Sequence, residues 1–559
     1  MIKNKIFLTF LMLVIVLATA CNKKSTQQKI GNSISIKDFR SGKNDHTLAF
    51  KAAFDALLNK GGKELHIPKG KYYISAPVVK NATVNHDIKI IGEPGTTIIC
   101  KGDFIWLSAG FDKDKKLQKD IKRGAKEVYL NSTKGIQIGD ILILNSNKEG
   151  EKGWRYKKSE NHRVKNIIKD GLVVLETTVN FPYELLKEKV RVTSYRRKNI
   201  TLENLNFEFS ESSKSKFGIG LRFDGFSIMG QKLSFKSKLK EQKGSLVHFV
   251  NCNNVDISDV YMEGVTYGLL FGNSRNINIK NTTANNCMHP FVPATWSSDL
   301  TFDKLRGKDI VIDAHPSFDV WYNDVDIDMG DNYFNCRALG VKLTNCKFKA
   351  GKKANSPSIG IGMTTLPKEY RFLLREYDVI LKNVEWLHTL NQRNGLVIHS
   401  ARKFLIENCK THGVATGHFC GEILIKNSSI GMFQCYDNNF TLKNVIFDGS
   451  LQRVDKPKFA ISTSFSGKAL IEDCTFKNYD KDYSSFFNYI HSPDSEIVFK
   501  NCKISNFKNW VGKLGYEKKD YTGLVFDNCT IENIKEKIPQ QFTRGKMKLN
   551  NTKLKNVKE

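Results

Sequence analysis

A chain of 559 residues, 40% of them hydrophobic and without a long low-complexity tract, can bury a large core and is not a disordered polyelectrolyte. Lys and Arg number 87 against 57 Asp and Glu, a formal net charge of +30. Much of the excess is Lys in an Asn-rich chain, so it reflects either the base composition of a genome or an anionic partner.

At the N-terminus, Lys3 and Lys5 precede an apolar run from Ile6 to Ala18, too short to span a membrane. Leu17-Ala18-Thr19-Ala20-Cys21 and a polar tail follow. The string resembles a bacterial lipoprotein signal, with Leu17 one position earlier than the usual box. The resemblance implies a signal over 1–21, lipidation of Cys21 and a linker over 22–34. It also implies a place in the bacterial cell envelope, outer membrane or periplasm, with the lipid as the only membrane contact. An ordinary cleaved signal is the alternative. Export disfavours nucleic acid as the anionic partner and puts an acidic polysaccharide first.

Residues 35–76 carry a distinct pattern. Ser35-Ile36-Lys37-Asp38-Phe39 leads through Asn44-Asp45-His46-Thr47 into a predicted helix with Phe50, Ala53, Phe54, Leu57 and Leu58 on one face, ended by Gly61-Gly62. Strands at 63–68 and 71–74 follow. An amphipathic helix here would cap the open end of a stacked β structure. The string resembles the opening of pectin-lyase-like β-helix proteins, which include polygalacturonase-related hydrolases, polysaccharide lyases and phage tailspikes. The polygalacturonase motifs are absent, so that activity is not carried over. From about 100 to 198 the expectation is a loop-rich region with a small β excursion.

From Ile200 to Met547 one phrase recurs about fourteen times: apolar, any, apolar, any, Asn, small or Cys, any, apolar. Its inner period of two is that of a strand, and its outer period of roughly 17 to 29 residues is that of a solenoid. The recurring Asn (Asn281, Asn345, Asn501, Asn528) is expected to form a ladder, each amide bonding the next coil's backbone at a buried bend. Cys346, Cys409, Cys474, Cys502 and Cys529 share the next slot and read as small buried side chains rather than disulfides. No CxxC or Cys/His spacing suggests a metal site. Repeat and resemblance together predict an all-β chain over 35–559, a single-stranded right-handed parallel β-helix with an N-terminal capping helix.

Six of the twelve histidines fall between 289 and 418. In Ile310-Val311-Ile312-Asp313-Ala314-His315, alternation puts Asp313 and His315 on one face. An Asp beside a His orients it as a general acid or base, so Asp313, His315 and nearby His289 are the catalytic candidates. His315, His399 and His418 each precede a repeat anchor by five residues and are expected in one column. Trp296 reads as a sugar platform, and Arg337, Arg393 and Arg402 as carboxylate or sulfate binders, with His399 and His418 beside them. The series Asp324, Asp326, Asp328 is a solvated face, a Ca²⁺ site or a hydrolase carboxylate pair.

Three functions fit. A glycoside hydrolase of an anionic polysaccharide comes first, a polysaccharide lyase acting by β-elimination on a uronate second, a non-catalytic glycan-binding adhesin third. No cofactor is expected, except Ca²⁺ under the lyase reading. Oligomerisation stays open.

Overall fold

In the computed structural model the described residues are 32–40, 42–150, 156–210, 220–238, 245–330, 332–350, 359–363, 366–388, 395–436, 438–452, 459–464, 467–479, 484–490, 496–511, 523–545 and 547–558. Cys21 and Arg393 lie outside them, as does nearly all of the expected linker.

The repeat anchors stack in parallel register, one above the next: Val255, Ile277, Leu300, Val320, Val341, Val379, Phe404, Ile423, Phe440, Ala469, Ile497 and Leu524 are successive partners. Alternation along each strand sends one set of side chains inward to a continuous core. Its aromatic stacks include Phe249 on Phe271 at 5.2 Å and Phe499 on Phe526 at 4.8 Å between centroids, the step from coil to coil. Burying each such ring contributes about 1.5–3 kcal/mol. The result is a parallel β-helix. Among the described residues, no helix is long and apolar enough to cross a membrane.

The helix Thr47–Asn59 closes the N-terminal end, burying Phe50, Ala53, Phe54 and Leu57 completely. Phe50 and Phe54 meet Phe104 edge-on at 5.7 and 5.9 Å.

Three expectations are corrected. The Asn bends are exposed, and the amides bond each other rather than backbone: Asn528 Nδ2 donates to Asn501 Oδ1 at 2.8 Å, and Asn383 to Asn345 at 2.8 Å. These residues sit at φ near +50°, a left-handed conformation that Asn tolerates, so the bend geometry selects the residue. Secondly, a coil at Ser227–Ser237 escaped the pattern because Lys232 (φ 52°) fills the Asn slot and Gly230 an apolar one. Thirdly, the stretch expected to be loop-rich with a small β excursion is a whole inserted β layer. Six strands between Phe111–Lys115 and Val190–Tyr195 pair antiparallel around their own core of Val128, Leu142, Leu144, Val164, Val173 and Phe181. That core continues onto Trp296, Phe318 and Leu339 of the helix.

All eleven cysteines among the described residues are free and buried. Stacked thiols fill the slot after the bend, where the Cys502 N–H points at Cys529 Sγ, 3.4 Å away.

Candidate functional site

One outer face of the β-helix is a sheet of the strands Val79–Val84, Ile105–Ala109, Leu221–Asp224, Val247–Val250, Tyr267–Gly272 and His289–Ala294. The start of Ile312–Gly330 follows on this face, where Val311 N–H donates to Cys287 O at 3.3 Å. Ile312 and Ala314 enter the core, so Asp313 and His315 point outward.

Outward does not mean exposed here. Asp313 is 5% accessible and His289 5%. His315 Nε2 lies 3.0 Å from Asp313 Oδ2, and His315 Nδ1 lies 2.6 Å from the hydroxyl of Tyr156. An ionised carboxylate only accepts, so Nε2 carries the proton and Nδ1 accepts from Tyr156. The three residues form a relay in which Asp313 orients the imidazole and the imidazole can take the phenol proton. His289 Nδ1 is 3.8 Å from Asp313 Oδ2, too long for a hydrogen bond. The Tyr267 ring stacks on His289 at 4.8 Å.

Burial lowers the pKa of His289 against the opposing pull of Asp313, with His315 adding to the drop; His289 is therefore neutral near pH 7. Tyr333 is raised by burial and by Asp313 and Tyr267, while Arg337 lowers it, so phenol, carboxylate and guanidinium share one field. Arg337 follows Cys336, the register partner of Ala314, and so stands one coil on from His315. Two buried polar atoms, His289 Nδ1 and Asp313 Oδ1, have no hydrogen-bond partner. Buried atoms of that kind are costly until a partner satisfies them.

His399 lies three coils beyond His315, its Nε2 beside Gly360, and burial lowers its pKa. His418 departs from that column. An extra residue between Thr416 and Phe419 shifts the register, exposes His418 and sets its ring 5.5 Å from Tyr436. Arg402 lies past the corner at Ser400–Ala401 and is held by Asp378 through two bonds of 2.9 and 2.8 Å. It lines a different groove, of about 520 Å³, with Asp299, Asp319, Trp321 and Tyr377.

Trp296 is not a platform. It is 2% accessible, wedged between Phe181 at 4.8 Å and Phe318 at 5.3 Å, with Gly150 against its indole. The insertion needs an apolar anchor on the helix, and Trp296 supplies it. Asp324 and Asp328 pair with Arg306 and Lys349 on the next face, away from Asp313. Among the described residues no group of three or more His, Cys, Asp or Glu is arranged to hold a metal ion.

Sequence reasoning missed Tyr156, Tyr267 and Tyr333. Tyr156 is 159 positions from His315 in the chain, inside the insertion, and nothing local marks it.

Known proteins agree with this architecture. A family model described as a right handed beta helix region matches residues 375–557. The tailspike of Acinetobacter baumannii bacteriophage AP22, solved in complex with A. baumannii capsular saccharide, is similar at 13% identity and a TM-score of 0.52, over 83% of this chain and 79% of that one. The tailspike protein of Pseudomonas phage LKA1 is similar at 11% identity and a TM-score of 0.42, over 88% and 74%. No curated protein matches the sequence. The fold is a right-handed parallel β-helix.

Proposed function

We propose that the protein is a carbohydrate-active enzyme that cleaves an anionic polysaccharide by β-elimination, with Tyr156, His315 and Asp313 as the proton relay. The observation that carries this reading is the relay itself, set beside a buried neutral His289 and a cation, Arg337. The cluster offers one carboxylate, whereas a glycoside hydrolase flanks its bond with two.

In this reading Arg337 pairs with a uronate carboxylate and makes the adjacent C5 proton acidic. His315 Nδ1 takes the proton of Tyr156, and the phenolate removes the C5 proton. The freed electron pair forms the C4–C5 double bond as the C4–O bond breaks. Tyr156 hands its proton to the departing oxygen and recovers its own from His315. Asp313 stabilises the transient imidazolium throughout. His289 Nδ1 and Asp313 Oδ1 bind sugar polar groups.

A second reading, hydrolysis, is favoured by the groove around Arg402. There Asp299 and Asp319 stand on neighbouring coils, and desolvation together with Asp299 raises Asp319 to about 6, which suits a general acid. The test is incubation with a panel of anionic polysaccharides, with and without a chelator, reading reducing ends and ultraviolet absorbance. Both signals together mean β-elimination; reducing ends alone mean hydrolysis and sink the relay mechanism. Binding without either signal favours the adhesin reading. Attachment to the cell envelope through a lipidated Cys21 belongs to the same proposal, and the mass of the mature N-terminus tests it.

A further inference from the structure

The relay stands at one end of the outer face of a parallel sheet, where Trp106, Arg222, His248, Leu270 and Val292 are successive register partners leading to the coil of Asp313. The inserted layer borders that face. Tyr195 lies against Gly225 and accepts from Asn251 Nδ2 at 3.2 Å, Asn161 Nδ2 donates to Cys252 O at 2.9 Å, and Tyr156 reaches His315. Layer and sheet therefore run together over the same coils.

At the far end stands a group that the relay does not use. Trp106 is 36% accessible, one of twelve large apolar side chains left exposed among the described residues. The Arg222 guanidinium lies 4.5 Å over its ring. Asp224 fixes both, accepting from Trp106 Nε1 at 3.2 Å, from Arg222 Nε at 3.1 Å and from Arg222 Nη2 at 3.3 Å. An indole locked in this way, with the guanidinium over one face, keeps its remaining face and the charged hydrogen-bonding groups at its edge for the face and hydroxyls of a sugar ring.

We propose that Trp106, braced by Arg222 and Asp224, is a remote sugar-binding platform that grips the chain at a distance from the bond the relay breaks. The proposal rests on the reading of the relay as glycan-cleaving. Five strand steps of about 4.8 Å separate Trp106 from Asp313, a span of about 24 Å that takes roughly five pyranose units of about 5 Å each. The platform therefore selects long chains and directs cleavage to their interior.

The test is Trp106→Ala in the full chain, with Trp106→Phe as the conservative control and thermal melting as the check on folding. On polymer and on oligosaccharides of about six units or more, kcat/KM is expected to fall about tenfold or more, with Trp106→Phe largely restoring it. On fragments of about three units, too short to reach from the relay to Trp106, Trp106→Ala is expected to match the wild type. Equal loss on long and short chains, or no loss on either, overturns the platform while leaving the cleavage reading intact. If the wild type cleaves none of the polymers, the cleavage reading fails and binding decides the platform. Retardation in gels containing each anionic polysaccharide is then lost in Trp106→Ala if the platform exists, and unchanged if it does not.

Discussion

Coils from Leu221 to Val341 and coils from Phe404 to Leu554 share one backbone and one kind of core, yet their outer faces have opposite characters. In the C-terminal coils the outward side chains of the anchor strands form a solvated lattice of ion pairs, such as Glu472 between Lys443 and Lys500 at 2.9 and 3.1 Å. In the middle coils one outer face is bordered by the inserted layer and holds a buried histidine, a buried carboxylate and half-buried tyrosines. A β-helix alone has only an inside to desolvate. A second layer laid on its outer face creates a place where polar groups lose water, shift their pKa and become worth arranging.

The largest expected effect sharpens this contrast. Tyr156→Phe and His315→Ala should each reduce turnover by about 10²–10⁴-fold with melting unchanged, as measured on whichever polymer the wild type cleaves. Lys500→Ala in the bare coils should leave turnover alone. A relay variant that unfolds, or keeps full rate, would reduce the cluster to a packing device.

The next largest effect tests what holds the second layer together. Inside the insertion Lys158 is fully buried, its ammonium 2.7 Å from Glu188 and 3.3 Å from the Tyr370 hydroxyl, with its charge over the Tyr183 ring at 4.3 Å. Burial lowers its pKa while Glu188 pulls it back up. Lys158→Met strands Glu188 without a cation and should cost about 3–5 kcal/mol in denaturant unfolding, with Glu188→Gln in the same chain recovering part of it. No single ion pair of the C-terminal lattice should cost more than about 1 kcal/mol.

Acid should separate the two regions as well. Burial lowers the pKa of His248 to about 3 and that of His162, His289 and His399 below the ordinary value. The unfolded chain then binds more protons than the folded one below about pH 6.5, so stability falls as pH drops through that window. Hydrogen exchange under acid should open the middle coils and the inserted layer before the C-terminal coils. The reverse order would place the acid-sensitive groups elsewhere.

The smallest effect belongs to the ladder. Asn501→Ala keeps φ at 52° without the side chain that tolerates it, and loses the amide bonds to Asp473 and Asn528. A loss of about 1–2 kcal/mol is expected by thermal melting, less for Asn501→Gly.

The sequence by itself determined the coil. Alternating apolar residues, a left-handed Asn and a small residue after it recur at a fixed offset, and each repeat carries the information that stacks it on the next. It also put Asp313 and His315 on one outward face, because strand alternation is local. What it left undecided is which outward faces stay wet. Trp296 looks like a ligand platform until the insertion is seen resting on it, and Arg402 looks like part of the cluster until the corner at Ser400 turns it away. Tyr156 reaches His315 only because a separate antiparallel layer docks across the coils. Contacts between two independently patterned layers leave no period in either one, so tertiary packing alone decided where the buried polar site is.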